Sequence, residues 1–259
     1  MTDSHPLEIR GVRKRFGGLQ VLDNLDLTVP AVKGNSVAIL GQNGAGKTTL
    51  LNIVTRLLDA DSGHVTINGR DVLAMKPSQL ARIGVGRTFQ APRLLLDHSV
   101  IDNVLLGSIA KASWSQGVSK GLVDAARLAL ETVGLWQFAT SDASTLSFGS
   151  RKLVDLARAL AGQPRLLLLD EPAAGLSSVE ESALAGILQA IAESGITLVL
   201  VEHRIQLVKR VAHRIVFMSA GAVVFDGSVD DAMLSDVVRE GYLGTAAHSE
   251  LDRDRLENP

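Results

Sequence analysis

The chain has 259 residues with a formal net charge of −2, 46% hydrophobic and 3% aromatic residues, and no cysteine. That length allows one domain or two, the missing cysteines exclude disulfides and thiolate metal sites, and the near-neutral charge with few aromatic platforms argues against a nucleic-acid or anionic-membrane binder. No stretch approaches the roughly 20 apolar residues that span a bilayer, and residues 1–6 lack the basic and apolar regions of a signal peptide, so membrane association is expected to run through a partner.

In chain order, residues 7–29 are predicted as short strands with turns. Leu7-Glu8-Ile9 and Leu25-Asp26-Leu27-Thr28-Val29 alternate apolar and polar, with a turn at Phe16-Gly17-Gly18 and a stop at Pro30. Val37-Ala38-Ile39-Leu40 is a buried-strand run, and Leu50-Leu51-Asn52-Ile53-Val54 opens a helix. Between them lies Gly41-Gln42-Asn43-Gly44-Ala45-Gly46-Lys47-Thr48-Thr49, a match to G-x-x-x-x-G-K-[ST] in the strand–loop–helix setting of a phosphate cradle. Its glycines let backbone N–H groups curl inward, and the helix N-terminus adds its positive end. Lys47 is expected to reach the β- and γ-phosphates and the Thr48 hydroxyl to ligate Mg²⁺. The pattern implies nucleoside-triphosphate binding.

Val65-Thr66-Ile67-Asn68-Gly69 is predicted as a strand, completing a mostly antiparallel β layer around the loop. From about residue 91 to 160 the chain is predicted mainly helical. Leu122, Ala126, Ala129 and Val133 share one helix face, and the polar stretch at 111–119 is a loop. Leu166-Leu167-Leu168-Leu169 and Ile196-Thr197-Leu198-Val199-Leu200-Val201 are unbroken apolar strands, ending in Asp170-Glu171-Pro172 and Glu202-His203. Such strands alternating with helices mean an α/β fold with a mostly parallel sheet covered on both faces, whose ligand chemistry sits at the strands' carboxyl ends. The tail from residue 245 is expected to be loose.

Asp170 is placed for Mg²⁺, and Glu171, pointing the other way because neighbouring residues on a strand point apart, to polarise an attacking water. Gln90, after Arg87-Thr88-Phe89, is a candidate to complete the metal's surroundings, although taken alone it reads as a surface residue. His203 reads both as a γ-phosphate contact and as a structural histidine. Leu153, Leu156, Ala157 and Leu160 form a helix face, which puts Ser147, Phe148 and Gly149 at the helix start as a second anion site, with Ser147 equally readable as a plain N-cap.

The order of phosphate loop, Gln90, Leu-Ser-x-Gly, Leu-Leu-Leu-Leu-Asp-Glu-Pro and His203 resembles the ATP-binding-cassette ATPases over nearly the whole chain. The resemblance implies one ATPase domain: a phosphate-loop core (1–90 and 161–244), an inserted helical subdomain (91–160) that meets a membrane subunit, and a tail (245–259). It implies ATP and Mg²⁺ bound between two head-to-tail cassettes in a homodimer or heterodimer. Ser147, Phe148 and Gly149 then act on the partner's γ-phosphate, Phe16 stacks on adenine, and Gln90 contacts the metal and the transport machinery. Implied too are integral membrane permease subunits, indirectly a solute-binding protein, no nucleic acid, and a peripheral place at the cytoplasmic face of the membrane.

Gly86-Arg87-Thr88-Phe89-Gln90, Glu171-Pro172-Ala173-Ala174-Gly175-Leu176, Val201-Glu202-His203 and Val238-Arg239-Glu240-Gly241-Tyr242-Leu243-Gly244 resemble more specifically the importers of branched-chain amino acids and their urea and amide relatives. Ser150, Arg151, Gln42 and Ser177 depart from the usual pattern, and the stretch at 30–36 is slightly long. Ser150 and Ser177 bear on cross-dimer contacts. The rival readings are a soluble cassette acting on nucleic acid or ribosomes, an exporter subunit, and a regulator without turnover.

Overall fold

The structure is a computed structural model and describes residues 6–30, 32, 34–111 and 119–243. Two strands longer than the sequence pattern suggests, β1 (Leu7–Phe16) and β2 (Leu19–Val29), form a hairpin turning at Gly17-Gly18. After β3 (Ser36–Gly41) come α1 (Lys47–Val54), β4 (Ser62–Ile67), β5 (Arg70–Asp71), α2 (Pro77–Leu80) and β6 (Val85–Arg87). Then follow α3 (Val100–Lys111), α4 (Lys120–Thr132), α5 (Phe148–Ala161), β7 (Leu166–Asp170), α6 (Ser178–Glu193), β8 (Thr197–Val201) and α7 (Ile205–Val211). A hairpin of β9 (Arg214–Ser219) and β10 (Ala222–Ser228) leads to α8 (Val229–Leu234), α9 (Asp236–Val238) and a wide π-type turn (Arg239–Leu243).

The strands make two sheets, an antiparallel one ordered β2-β1-β4-β5 and a six-stranded one ordered β10-β9-β3-β8-β7-β6. In the second, β6, β7, β8, β3 and β9 are parallel and only the edge strand β10 runs against its neighbour. The fold is therefore the α/β phosphate-loop architecture expected from the strand pattern. Strand pleating divides the core. Val37, Ile39, Leu166, Leu168, Val199 and Val201 face α1 and the antiparallel sheet, while Ala38, Leu40, Leu167, Leu169, Leu198 and Leu200 face the other helices. Both faces are covered, so each leucine of β7 is fully buried, which stabilises the sheet by about 1.5–3 kcal/mol per side chain.

Helices α3, α4 and α5 pack on one another through Val100, Val104, Ala126, Leu130 and Val154, and this cluster runs without a break into the core under α6. Ala126, Ala129 and Val133 are buried as the periodicity predicts, and Leu122 is half-buried. The expected loop at 111–119 narrows: Lys111 ends α3, Ser119 precedes α4, and 112–118 lie outside the described residues. So do the tail at 245–259 and Gly244 of the carboxyl-terminal motif. No helix of the described residues is long and apolar enough to cross a membrane.

Candidate nucleotide site

Strand register gathers the site. Ile39 pairs with Val201, and Val201 with Asp170, so β3, β8 and β7 all end at one edge of the sheet. The phosphate loop leaves β3 there, and Glu171 and His203 follow β7 and β8.

Gly41, Gly44 and Gly46 all have positive φ, as the sequence pattern requires. Two of them also need the missing Cβ. At Gly41 it would lie 2.2 Å from the Met218 carbonyl oxygen, and at Gly46 2.7 Å from that of Val21. The second contact sets β2 against the loop, on the hairpin whose tip carries Phe16. That ring is exposed, with Lys14 Nζ 5.5 Å from its centroid. Asn43 and Gly44 are exposed at the loop's crest, Ala45 is buried beneath it, and Thr48 and Thr49 open α1. Lys47 turns back over the loop, its Nζ donating to the carbonyls of Gly41 (2.6 Å) and Gln42 (2.8 Å). Burial pushes its pKa down, opposed by the charges of Glu171 and Asp170. The Gln42 side chain, where the family pattern favours proline, donates to the Gly241 carbonyl at 2.9 Å and ties the loop to the carboxyl-terminal turn.

Asp170 is the last residue of β7 and is buried. Burial raises its pKa, opposed chiefly by Arg87, whose Nη2 lies 3.3 Å from Oδ2, and slightly by the neighbouring Thr48 hydroxyl. One carboxylate and one hydroxyl are hard oxygen donors, and this pair fits Mg²⁺, which keeps most of its ligands as water and phosphate oxygen. Among the described residues no cluster of three or more His, Asp or Glu forms a richer site. The Gln90 Nε2 donates to Oε2 of Glu171, the residue next to Asp170, at 2.8 Å.

The structure changes two details expected of the strand ends. Glu171 is not on the strand. It leaves β7 in the left-handed region at φ 46°, so a backbone turn, rather than pleat alternation, separates its carboxylate from that of Asp170. His203 does not end a strand either. β8 stops at Val201, and the His203 ring is half exposed with Nδ1 4.0 Å from Glu171 Oε2. Glu202 takes the buried position between them. It accepts from the backbone N–H groups of Ala173 (2.8 Å), His203 (2.9 Å) and Arg204 (3.1 Å), which locks the turns after β7 and β8 together.

Ser147 is the N-cap of α5. Its hydroxyl accepts from the Ser150 N–H at 3.2 Å and lies 3.1 Å from Ser150 Oγ. Phe148 is exposed beside it, and Gly149 is packed so closely that a Cβ would meet Glu180 Oε1 at 2.4 Å. Ser177, where Asn or Asp is usual, caps α6 in a box closed by Glu180, so the replacement keeps an N-cap oxygen.

Three residues that hold this site gave little warning in the sequence. Arg87 sits in the three-residue strand β6 and reaches Leu51 O, Asn52 Oδ1, Thr55 Oγ1 and Asp170. Its signal is the stretch Gly86-Arg87-Thr88-Phe89-Gln90 that carries the importer resemblance, which does not give the side chain a role. Lys152 falls on the buried side of α5, where its ammonium group donates to the Glu171 and Pro172 carbonyls. Glu202 follows an apolar strand, a position that marks a strand end but not a burial site.

Residues 22–174 match the family model described as ABC transporter. The chain is 32% identical over 252 residues to the high-affinity branched-chain amino acid transport ATP-binding protein BraF of Pseudomonas aeruginosa, covering 93% of this chain and 98% of that protein. It is 38% identical over 228 residues to the phosphonates import ATP-binding protein PhnC of Thiobacillus denitrificans, covering 86% and 87%. Among solved structures, the ADP conformation of an ABC-transporter ATP-binding cassette superposes with a TM-score of 0.82 at 29% identity, covering 93% of this chain and 99% of that one. A dimeric post-hydrolysis cassette bound to ADP and Pi gives 0.75 at 28% identity, covering 86% and 98%.

Proposed function

The chain belongs to the ABC transporter ATPases, and from that membership we propose that it drives solute import, with branched-chain amino acids as the cargo class. The near end-to-end match to the branched-chain amino acid relatives supports that class over the phosphonate relative, which aligns over less of both chains. The observation that carries the site reading is the convergence of Lys47, Thr48, Asp170 and Glu171 at one edge of three register-locked strands.

In this reading ATP sits with its phosphates on the loop of residues 41–49 and its adenine on Phe16. Lys47 exchanges the Gly41 and Gln42 carbonyls for phosphate oxygens. Thr48 and Asp170 hold Mg²⁺, which neutralises charge on the phosphates. Glu171 takes the proton of the attacking water, and His203, beside the same carboxylate, contacts the γ-phosphate. Gln90 holds Glu171 until the segment joining β6 to α3 moves, and so links the site to the permease. Ser147, Phe148 and Gly149 complete the nucleotide site of a second cassette, identical or homologous. The helices from 91 to 160 form the subdomain that meets the permease, and the chain works as a peripheral subunit at the cytoplasmic face, supplied indirectly by a solute-binding protein.

The test is solute uptake by the reassembled transporter, with branched-chain amino acids and phosphonates as competing cargoes. ATP-dependent uptake of leucine, isoleucine or valine is expected. Uptake of phosphonate alone would overturn the cargo assignment, and lack of Mg²⁺-dependent ATP hydrolysis would overturn the site reading.

A further inference from the structure

Lys152 is only 8% exposed, yet its two hydrogen bonds go to neutral carbonyls, Glu171 O at 2.8 Å and Pro172 O at 3.2 Å. Burying an ammonium group costs free energy that its carbonyl partners and the nearby carboxylates of Glu202, Glu171 and Asp155 offset only in part. What it holds is the turn at Glu171. A non-glycine residue keeps a left-handed backbone only where its surroundings fix it, and Lys152 binds the carbonyl of that residue.

The other end of the same loop is held from the same helix. The Phe148 ring covers Gly175, where a Cβ would lie 2.9 Å from Cε1, and the Lys152 ammonium is 5.6 Å from the centre of that ring. Helix α5 therefore grips residues 171–175 at both ends, and its N-terminus is the segment Ser147–Gly149. We propose that Lys152 is a positioning residue for hydrolysis, aiming Glu171 and tying that aim to the placement of α5. The inference rests on the reading of Glu171 as the group that activates water. It supplies a physical link between two nucleotide sites of a dimer: a shift of α5 on meeting the partner's phosphate reaches Glu171 through one side chain.

The experiment compares K152M, K152Q, K152R, E171Q and the double variant E171Q/K152M in the full chain, by steady-state ATPase kinetics and titration with a fluorescent ATP analogue. K152M and K152Q are expected to lower kcat about 10- to 100-fold, the usual effect of a misaimed group. Nucleotide Kd should stay within about twofold, as for an interaction made only in the transition state. K152R should recover most of the rate, because it keeps a cation with N–H donors for the two carbonyls. K152M should add nothing to E171Q. Thermal melts check folding, and K152Q carries the comparison if K152M is unfolded. Wild-type kcat in K152M and K152Q, or a further multiplicative loss in the double variant, overturns the inference while leaving an impaired E171Q intact. Wild-type turnover in E171Q overturns the reading of Glu171 and this inference with it.

Discussion

The Gln90 side-chain amide donates a 2.8 Å hydrogen bond to Glu171, a residue 81 positions further along the chain. The bond joins the start of the segment leading to α3 directly to the carboxylate at the end of β7. Gln90 therefore occupies one oxygen of the candidate base, and a displacement of its segment changes what Glu171 can bind.

Replacing Glu171 with Gln should slow ATP hydrolysis by about 10²–10⁴-fold, the usual contribution of a positioned base, with nucleotide binding intact. The amide of the variant can still pair with Gln90, so the loop geometry survives and the lost rate reports chemistry. Steady-state turnover alongside nucleotide titration checks this, and wild-type turnover would falsify the role.

Lys47→Ala should act on binding itself. The ammonium is held by the Gly41 and Gln42 carbonyls, poised where phosphate oxygens are expected. Its loss should weaken ATP affinity by about tenfold or more, on the scale of a charge-assisted hydrogen bond, as read by isothermal titration. Unchanged affinity would contradict the phosphate-loop assignment.

Arg87→Met should destabilise the fold by about 3–5 kcal/mol, because it leaves the Asp170 carboxylate buried without its cation. Arg87→Lys should not restore it, since one ammonium cannot span Asn52, Thr55 and Asp170 together. The pH dependence has a definite sign. Burial already raises the Asp170 pKa and Arg87 opposes that rise, so R87M raises it further. A folded-state carboxylate with a raised pKa binds protons more readily than the unfolded chain, so the deficit of R87M should shrink as pH falls from neutral. Urea unfolding across that range is the measurement.

Ser177→Ala removes the cap of α6 and should lower Tm by about 2–4 °C at neutral pH. Part of that loss depends on Glu180, whose pKa is lowered from 4.5 by hydrogen bonds from the Ser177 N–H and hydroxyl. A depressed carboxylate pKa stabilises above its unfolded value and loses that effect as pH falls. The gap between wild type and S177A should narrow on acidification below about pH 4.5, which differential scanning fluorimetry at graded pH can follow.

The parts legible in the sequence were those where backbone geometry or double-sided burial restricts residue choice. The loop at Gly41, Gly44 and Gly46 needs positive φ three times, and β7 and β8, covered on both faces, must be apolar throughout. Strand β6 carries no strand pattern because it is three residues long and contains Arg87. The β9–β10 hairpin lies at the sheet edge, where half-exposed residues break the apolar run of β10. Pro172 signals that Glu171 leaves regular structure, but it does not give the sign of φ. Lys152 was illegible for a different reason. A lysine in an amphipathic helix normally reads as solvent-facing, and only the tertiary packing of α5 against the turn after β7 buries it.

The left-handed backbone of Glu171 sets two selection pressures against each other. Glycine or asparagine would occupy φ 46° more comfortably, by about 1 kcal/mol on the usual cost of that region. A library of variants screened for heat resistance alone should therefore enrich E171G and E171N. Each gain would come at the expense of turnover, as expected where a strained residue serves function. Survivors of such a screen should bind ATP and fail to spend it, and the most heat-tolerant form of this chain is expected to be a poor motor.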